Sequence, residues 1–418
     1  MVAKQNLSVP LHPAAPVVMT SLRIAVASSG LGHVARGVES WAADLGDALA
    51  GRGFAVTLFK GGGVPASKHE VVISCLQRES ATSGWIDRWI SKRGRWRLGL
   101  GTRYDVEQTT FAVRLIRYLR RQRFAILHVQ DPMVARLAQQ ASQIGLIPTR
   151  VILANGVGES RNFLSKMTYL QHLAPWHLEE AKDAGCWRST WTAIPNFIDT
   201  DVYHAGRGDS LRDELGIPRD ALVVTTASAL RRTHKRIDYL LKEFARLREL
   251  SPDLPVWLII AGGWDEDAEG LISEGKALLG DRVHFLVRFP RERMPDLYRA
   301  SDIFVLCSLM EMLGIVLLEA SASGIPCLVH NYPVLEWVVG PGGLTIDMDR
   351  QGVLSEAMAG LLASADRRRE LGELARRHCM EHFSKDRVLD QILEYYDFVM
   401  KNPEHNSPSR QPQLDIGV

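Results

Sequence analysis

The chain has almost no surplus of charge of either sign. Its 50 Lys and Arg face 48 Asp and Glu, a formal net charge of +2 over 418 residues. A protein that grips nucleic acid through its overall field carries a larger excess, so no nucleic-acid partner is predicted. Cysteine is scarce: Cys75, Cys186, Cys307, Cys327 and Cys379 are widely scattered and form no Cys-x-x-Cys pair. That argues against a disulfide framework or a zinc site, and predicts reduced thiols in a cytoplasmic protein. Long apolar runs are missing, since none approaches the roughly 20 residues a bilayer-spanning helix needs. The apolar piece Val17–Met19 is too short for the core of a secretory signal. There is no G-x-S-x-G turn and no His/Cys cluster, and no Asp-x-Asp pair is expected to be placed for a metal after a strand. No metal and no cofactor are predicted.

What remains is an ordinary globular composition, 46% hydrophobic and 23% charged. A chain of this length exceeds what one hydrophobic core usually serves, so two domains are expected. Short apolar runs alternate with helical patterns in two series. The first comprises Leu22–Ala27, Ala55–Phe59, Ala125–Val129 and Arg150–Ala154. The second comprises Leu222–Ala227, Val256–Ala261, Val283–Leu286, Ile303–Cys307 and Pro326–Val329. Near-continuous apolar strands separated by helices predict parallel sheets covered on both faces: an α/β fold of two doubly wound, Rossmann-like domains facing a cleft. Pro195 and Asn196 break the pattern between the series, which sets a first domain over 21–196 and a second from 197 on. Residues 1–20 are expected to form a flexible tail, and the Pro-, Ser-, Asn- and Gln-rich residues 401–418 a disordered one.

The segment 84–123 departs from the rest. Arg88, Lys92, Arg93, Arg95, Arg97 and Arg103 lead to Arg114, Arg117, Arg120, Arg121 and Arg123, with Trp85, Trp89 and Trp96 interleaved. It reads equally as a contact for an anionic membrane surface or charged acceptor, and as a solvated helix face over a tryptophan-containing core. On the first reading the protein is peripheral at the inner face of the membrane.

Three motifs could carry chemistry. Ser28–Arg36, SSGLGHVAR, follows the first strand. Its glycines, Gly30 and Gly32, let a ligand approach backbone N–H groups at a helix start, where the dipole favours negative charge. GLGHVA also satisfies G-x-G-x-x-A, but a dinucleotide site wants an acid at the end of the second strand, where this chain has Lys60. Ser308–Ala320, SLMEMLGIVLLEA, places Glu311 in a loop and Glu319 inside a helix that begins near Gly314. A loop carboxylate can accept hydrogen bonds from sugar hydroxyls, and one further along the helix can chelate a ribose diol. The N–H groups of Gly314, Ile315 and Val316 can meet a diphosphate. The plainer reading is two solvated glutamates. Ser228–Leu241 sets Arg231, Arg232, Lys235 and Arg236 at a helix start, which is electrostatically poor unless an anion binds there.

Together these pieces resemble glycosyltransferase family 4, the large group of retaining GT-B enzymes, over nearly the whole chain from Leu22 to about Val399. The E-x7-E signature is met by Glu311 and Glu319, followed by Ala320-Ser-Ala-Ser-Gly324-Ile-Pro326. Ile194-Pro195-Asn196-Phe197-Ile198-Asp199 is similar to the family's Ile-Pro-Asn-Gly-Val-Asp, and Leu297-Tyr298-Arg-Ala-Ser-Asp302 to its Leu-Tyr-x-x-Ala-Asp. The resemblance implies that Glu311 holds donor-sugar hydroxyls, Glu319 the ribose, and Lys235 with Arg231 the diphosphate. Gly30 and Gly32 would lie against the diphosphate, and Gly314, Ile315 and Val316 would complete its site. It also implies metal-independent transfer with retention, and a helix over 386–400 crossing back to the first domain, closing the second at 385. This chain differs where the family usually has Glu-Gly-Phe-Gly (here Glu311-Met312-Leu313-Gly314), in an Arg displaced to position 231, and in Gln130 where many members have His. His33, His128, Gln130, Asp131 and Asn155 are the candidates for the acceptor side of the cleft.

The reading is a retaining hexosyltransferase using a UDP- or GDP-sugar and an unidentified hydroxyl acceptor. A GT-B protein that binds sugar nucleotide without transfer, and an NADP-linked oxidoreductase using the GLGHVA loop, are the alternatives.

Overall fold

The computed structural model describes residues 22–34, 36–80, 100–206 and 208–402. The first sheet comprises β1 (Arg23–Ser28), β2 (Ala55–Lys60), β3 (Glu70–Val72), β4 (Ile126–Val129), β5 (Arg150–Asn155), β6 (Tyr169–His172) and β7 (Trp191–Ala193). Its helices are α1 (Gly37–Gly51), α2 (Arg103–Gln122), α3 (Pro132–Gln143), α4 (Arg161–Leu164) and α5 (Pro175–Asp183). The second sheet comprises β8 (Leu222–Ala227), β9 (Val256–Gly262), β10 (Val283–Val287), β11 (Ile303–Leu306), β12 (Cys327–His330) and β13 (Gly343–Ile346). Around it stand α6 (Asp209–Glu214), α7 (Ile237–Leu250), α8 (Ala268–Leu279), α9 (Met294–Arg299), α10 (Ile315–Ala322), α11 (Pro333–Val339), α12 (Val353–Leu362) and α13 (Ala365–Phe383). The helix α14 (Lys385–Lys401) follows.

The strand orders are β3-β2-β1-β4-β5-β6-β7 and β10-β9-β8-β11-β12-β13, with parallel pairing throughout. These are the two doubly wound α/β domains the strand series predicts. In each sheet the order reverses once, between β1 and β4 and between β8 and β11. Such reversal points open a crevice at the carboxyl ends of the strands. The central strands are buried because they are apolar on both faces: Ile24 to Ala27 and Ile303 to Leu306 are at most 1% exposed.

The helix α2 shows how sequence fixes position. Thr102 and Asp105 form a reciprocal capping box at its start. Phe111, Leu115 and Leu119, four residues apart, pack into the first domain's core. Arg114, Arg117, Arg120 and Arg121 face outward, so this half of the basic segment is a solvated helix face. Trp85, Trp89, Trp96 and the basic residues 88–97 lie outside the described residues, as do the tails 1–21 and 403–418. Among the described residues no helix is long and apolar enough to cross a membrane. All five cysteines are free thiols.

The chain crosses between the domains twice, and the crossings touch. Ile198 N–H donates to Phe383 O at 2.8 Å, and Lys385 N–H donates to Ile198 O at 3.0 Å. Lys385 also pairs with Asp199 at 2.6 Å. Beyond this point α14 lies on the first domain. The Tyr395 hydroxyl donates to Thr190 O at 2.6 Å, Tyr396 meets His128 at 2.8 Å, and Arg52 pairs with Asp386 at 2.9 Å.

Candidate functional site

Lys235 leaves the loop after β8 and Glu311 the loop after β11, the two strands flanking the second reversal point. Their side chains meet in an ion pair, with His234 Nε2 3.6 Å from the same carboxylate oxygen. Burial alone would push the Glu311 carboxyl up. The His234 contact and the Lys235 charge outweigh it and hold the group at about 2, so it is ionised. Glu311 is only 12% exposed, so it is no free surface charge. Three residues on, Gly314 turns the chain into α10 with φ of +81° and leaves the first N–H groups of that helix uncapped by any side chain. A Cβ built on Gly37, the first residue of α1, would stand 3.9 Å from Ile315. The N termini of α1 and α10 therefore meet across the cleft, one from each domain. Each end carries the positive pole of its helix, so their proximity makes a favourable place for an anion. Met312 closes a second contact, its sulfur 3.2 Å from a Cβ built on Gly158.

The other cations of the basic cluster are engaged elsewhere. Arg231 pairs with Asp265 at 2.6 Å, and Arg232 with Glu274 at 2.7 Å. Arg236 donates to Met348 O at 2.9 Å. Asp265 and Asp267 form an Asp-x-Asp pair after β9, but both carboxylates are engaged by the basic cluster. Asp265 is held by Arg231, and Asp267 accepts the Arg232 N–H at 2.9 Å. No cluster of described His, Cys, Asp or Glu residues could hold a metal ion.

Glu319 is 7% exposed, and both its oxygens are occupied. Tyr203 donates to one at 3.1 Å and Tyr298 to the other at 2.6 Å. Burial raises its carboxyl above the usual range, and the tyrosines and Arg291 oppose that rise. Arg291 itself reaches across the domain boundary to Asp44 of α1 at 2.6 Å. The reading of Glu311 and Glu319 as solvated charges is thus overturned by their burial.

The first domain's reversal point is built differently. Arg78 donates from Nε to both Glu107 oxygens at 3.1 Å and lies 3.6 Å from Glu39. His33 Nε2 stands 3.0 Å from Glu107, whose carboxyl stays at about 2 because hydrogen bonds from His33 and Arg78 overcome its burial. Burial, followed by the charge of Asp131, lifts Glu39 to about 7. Asp131 is fully buried and accepts the Ser29 N–H at 2.5 Å and the Tyr104 hydroxyl at 2.9 Å, which anchors the first glycine loop. Gly30 is required by this network, since a Cβ there would strike Glu39 at 2.1 Å. Gly32, at φ +96°, lies so close to the Gly62 carbonyl that a Cβ there would stand 2.1 Å from it, and the residue is exposed. Gln130 donates to Asn196 at 3.2 Å, and Asn155 accepts from the Glu159 N–H at 3.4 Å.

His128 is not on the cleft. It is 0% exposed beneath α14, its ring edge-on to Trp41 and Tyr396, and burial lowers its pKa to about 3. Its placement as an acceptor-side residue is corrected accordingly: the alternation of β4 turns it into the core. Lys60, which stands where a dinucleotide site wants an acid, is spent on Glu70 at 2.9 Å. Arg78, Glu39, Glu107, Tyr203 and Arg291 belong to no motif read from the sequence. Glu107 nevertheless carried a signal, for it opens the four-residue stripe that continues through Phe111, Leu115 and Leu119.

Comparison with known proteins assigns the architecture. The fold is GT-B. Sucrose-phosphate synthase from Thermosynechococcus elongatus superimposes with a TM-score of 0.73 over 91% of this chain and 99% of its own, at 19% identity. The Anabaena protein Alr3699/HepE, solved in complex with UDP and glucose, gives 0.70 over 90% of this chain and 100% of its own, at 15% identity. Within that architecture, residues 209–378 match the family model described as Glycosyl transferases group 1, so the family likeness falls on the second domain. D-inositol 3-phosphate glycosyltransferase of Corynebacterium urealyticum is 31% identical over 213 residues, 49% of each chain. N-acetyl-alpha-D-glucosaminyl L-malate synthase of Bacillus anthracis is 28% identical over 215 residues, 51% of this chain and 55% of its own. The matches thus span about half the length of these curated relatives.

Proposed function

We propose that the protein is a glycosyltransferase that moves a hexose-type sugar from a UDP- or GDP-sugar to a hydroxyl acceptor, with retention and without a metal. The observation that carries this reading is the Lys235–Glu311 pair at the second reversal point, beside the facing N termini of α1 and α10. The diphosphate sits at those N termini. As the bond from the anomeric carbon to the diphosphate oxygen breaks, its electron pair stays on the diphosphate, and Lys235 turns from Glu311 toward that charge. Glu311, released and ionised, accepts hydrogen bonds from the donor sugar. The acceptor oxygen bonds to the anomeric carbon on the face the diphosphate leaves and passes its proton to the departing diphosphate oxygen. Glu319 takes the ribose diol once one tyrosine hydroxyl yields its place. The named relatives include glycosyltransferases, and Alr3699/HepE was solved with UDP, which supports a nucleotide-sugar donor.

One observation favours binding without transfer. Arg231, the displaced diphosphate candidate, is tied to Asp265, so a single lysine is left to meet the leaving group. A thermal-shift screen with UDP, GDP, ADP, their sugar conjugates and NADP tests the donor site, because ligands of the native state raise the melting temperature. A selective rise with one nucleoside diphosphate, followed by its release from the sugar conjugate on turnover, is the expected result. Binding without release supports the second reading, and a rise with NADP alone overturns both.

A further inference from the structure

A second concavity, of about 530 Å³, shares no residue with the donor site. It lies on the first domain, between α3, the segment 160–167 and Arg188. Three cations line it, Arg136, Lys166 and Arg188, and no acidic residue does so among the described residues. Elsewhere many of the chain's arginines meet a carboxylate, as Arg52, Arg212, Arg219, Arg291 and Arg293 do. Around this cavity the Arg136 guanidinium and the Lys166 ammonium reach no hydrogen-bond or ion-pair partner among the described residues.

The walls are fixed in place. The buried Gln139 donates from its amide to Lys166 O at 2.7 Å and accepts the Thr168 N–H at 2.8 Å. Arg188 donates to Ser165 O at 3.0 Å. The backbone on either side of Lys166 is thus clamped while its side chain stays free to close on a ligand. A prebuilt wall lowers the ordering cost of binding.

We propose that this cavity binds a saccharide bearing a phosphate monoester. Arg136 and Lys166 bring two positive charges without a described partner to one hollow, and a small anion satisfies both. A phosphate monoester carries nearly two negative charges at neutral pH and matches the guanidinium fork, where a carboxylate offers only one. Gln140 and Asn162 add amides suited to sugar hydroxyls. The volume falls in the range of small-ligand sites. The site is independent of the donor reading, because none of its residues serves that function.

Isothermal titration of the full chain at low salt with glucose 6-phosphate, inorganic phosphate and glucose tests the assignment. Glucose 6-phosphate should bind, inorganic phosphate should bind about tenfold more weakly because the amides find no hydroxyls, and glucose should not bind. The variant R136A/K166A should lose at least about tenfold in glucose 6-phosphate affinity with an unchanged melting temperature, while K235A keeps it. Affinity kept in R136A/K166A and lost in K235A would place the phosphate in the donor cleft and overturn the proposal. Absence of binding at low salt overturns it as well. Equal affinity for inorganic phosphate and glucose 6-phosphate overturns the saccharide part. If R136A/K166A melts early, R136K/K166R gives the second reading, since it keeps the charge and should retain part of the affinity.

Discussion

The two reversal points of this molecule use charge in opposite ways. In the second domain, Lys235 and Glu311 satisfy each other at the mouth of the cleft, beside helix N–H groups that no side chain caps. In the first, Arg78, Glu107, Glu39, His33 and Asp131 form a network whose carboxylates are at most 3% exposed. A pair that partners can exchange is suited to a ligand, whereas a buried network of mutually bonded side chains is suited to holding a loop still. The same order reversal therefore gives one half of the cleft a reactive surface and the other a rigid one.

The largest expected effect lies in the rigid half. Arg78→Ala leaves Glu107 charged and buried and should cost about 3–5 kcal/mol, read by urea unfolding. A loss under about 1 kcal/mol would show that the network is dispensable. Next comes its pH dependence. As pH rises through 4.5 the unfolded chain releases the Glu39 proton, while the folded chain keeps it to about 7. Stability is therefore full below that window and falls across it, by on the order of 3 kcal/mol. Glu39→Gln should flatten the slope, and an unchanged slope assigns it to another group.

In the reactive half the expected signature is activity without stability. Lys235→Ala should lower turnover about 10²-fold with little change in melting temperature. A parallel collapse of both would make Lys235 a structural residue. Glu319→Ala should weaken nucleoside diphosphate binding about tenfold if its carboxylate holds the ribose; equal affinity in variant and wild type removes that role. The smallest effect concerns neither half. Pelleting with anionic vesicles at low salt, reversed at high salt, is expected if 84–123 touches a membrane, and no pelleting would leave a soluble acceptor.

Much of the architecture was legible because buried parallel strands are written as apolar runs. The four strands missed are instructive. β3, β7 and β13 are short edge strands, and β6 is fully buried yet carries Gln171 and His172, whose polarity hid it. In the candidate site, Glu311 and Lys235 could be picked out because they stand in loops at strand ends. Their pairing could not, since 76 residues separate them and only the topology joins them. Tyr203 and Arg291 left no mark, for nothing local tells which distant carboxylate a tyrosine or arginine will reach. His128 misled for a related reason: strand alternation gives a side, but not which side the last helix will cover.

That last helix has a consequence for synthesis. His128 waits for Tyr396 across 268 residues of chain. At about 5–20 residues per second, the ribosome needs tens of seconds to deliver the partner. Until then the face of the first domain that α14 covers stays open, although that domain was made first. The second domain can close on its own strands meanwhile. The half that comes last off the ribosome can thus be finished before the half that came first, and a nascent chain stalled near residue 380 would expose Trp41 and its neighbours to chaperones.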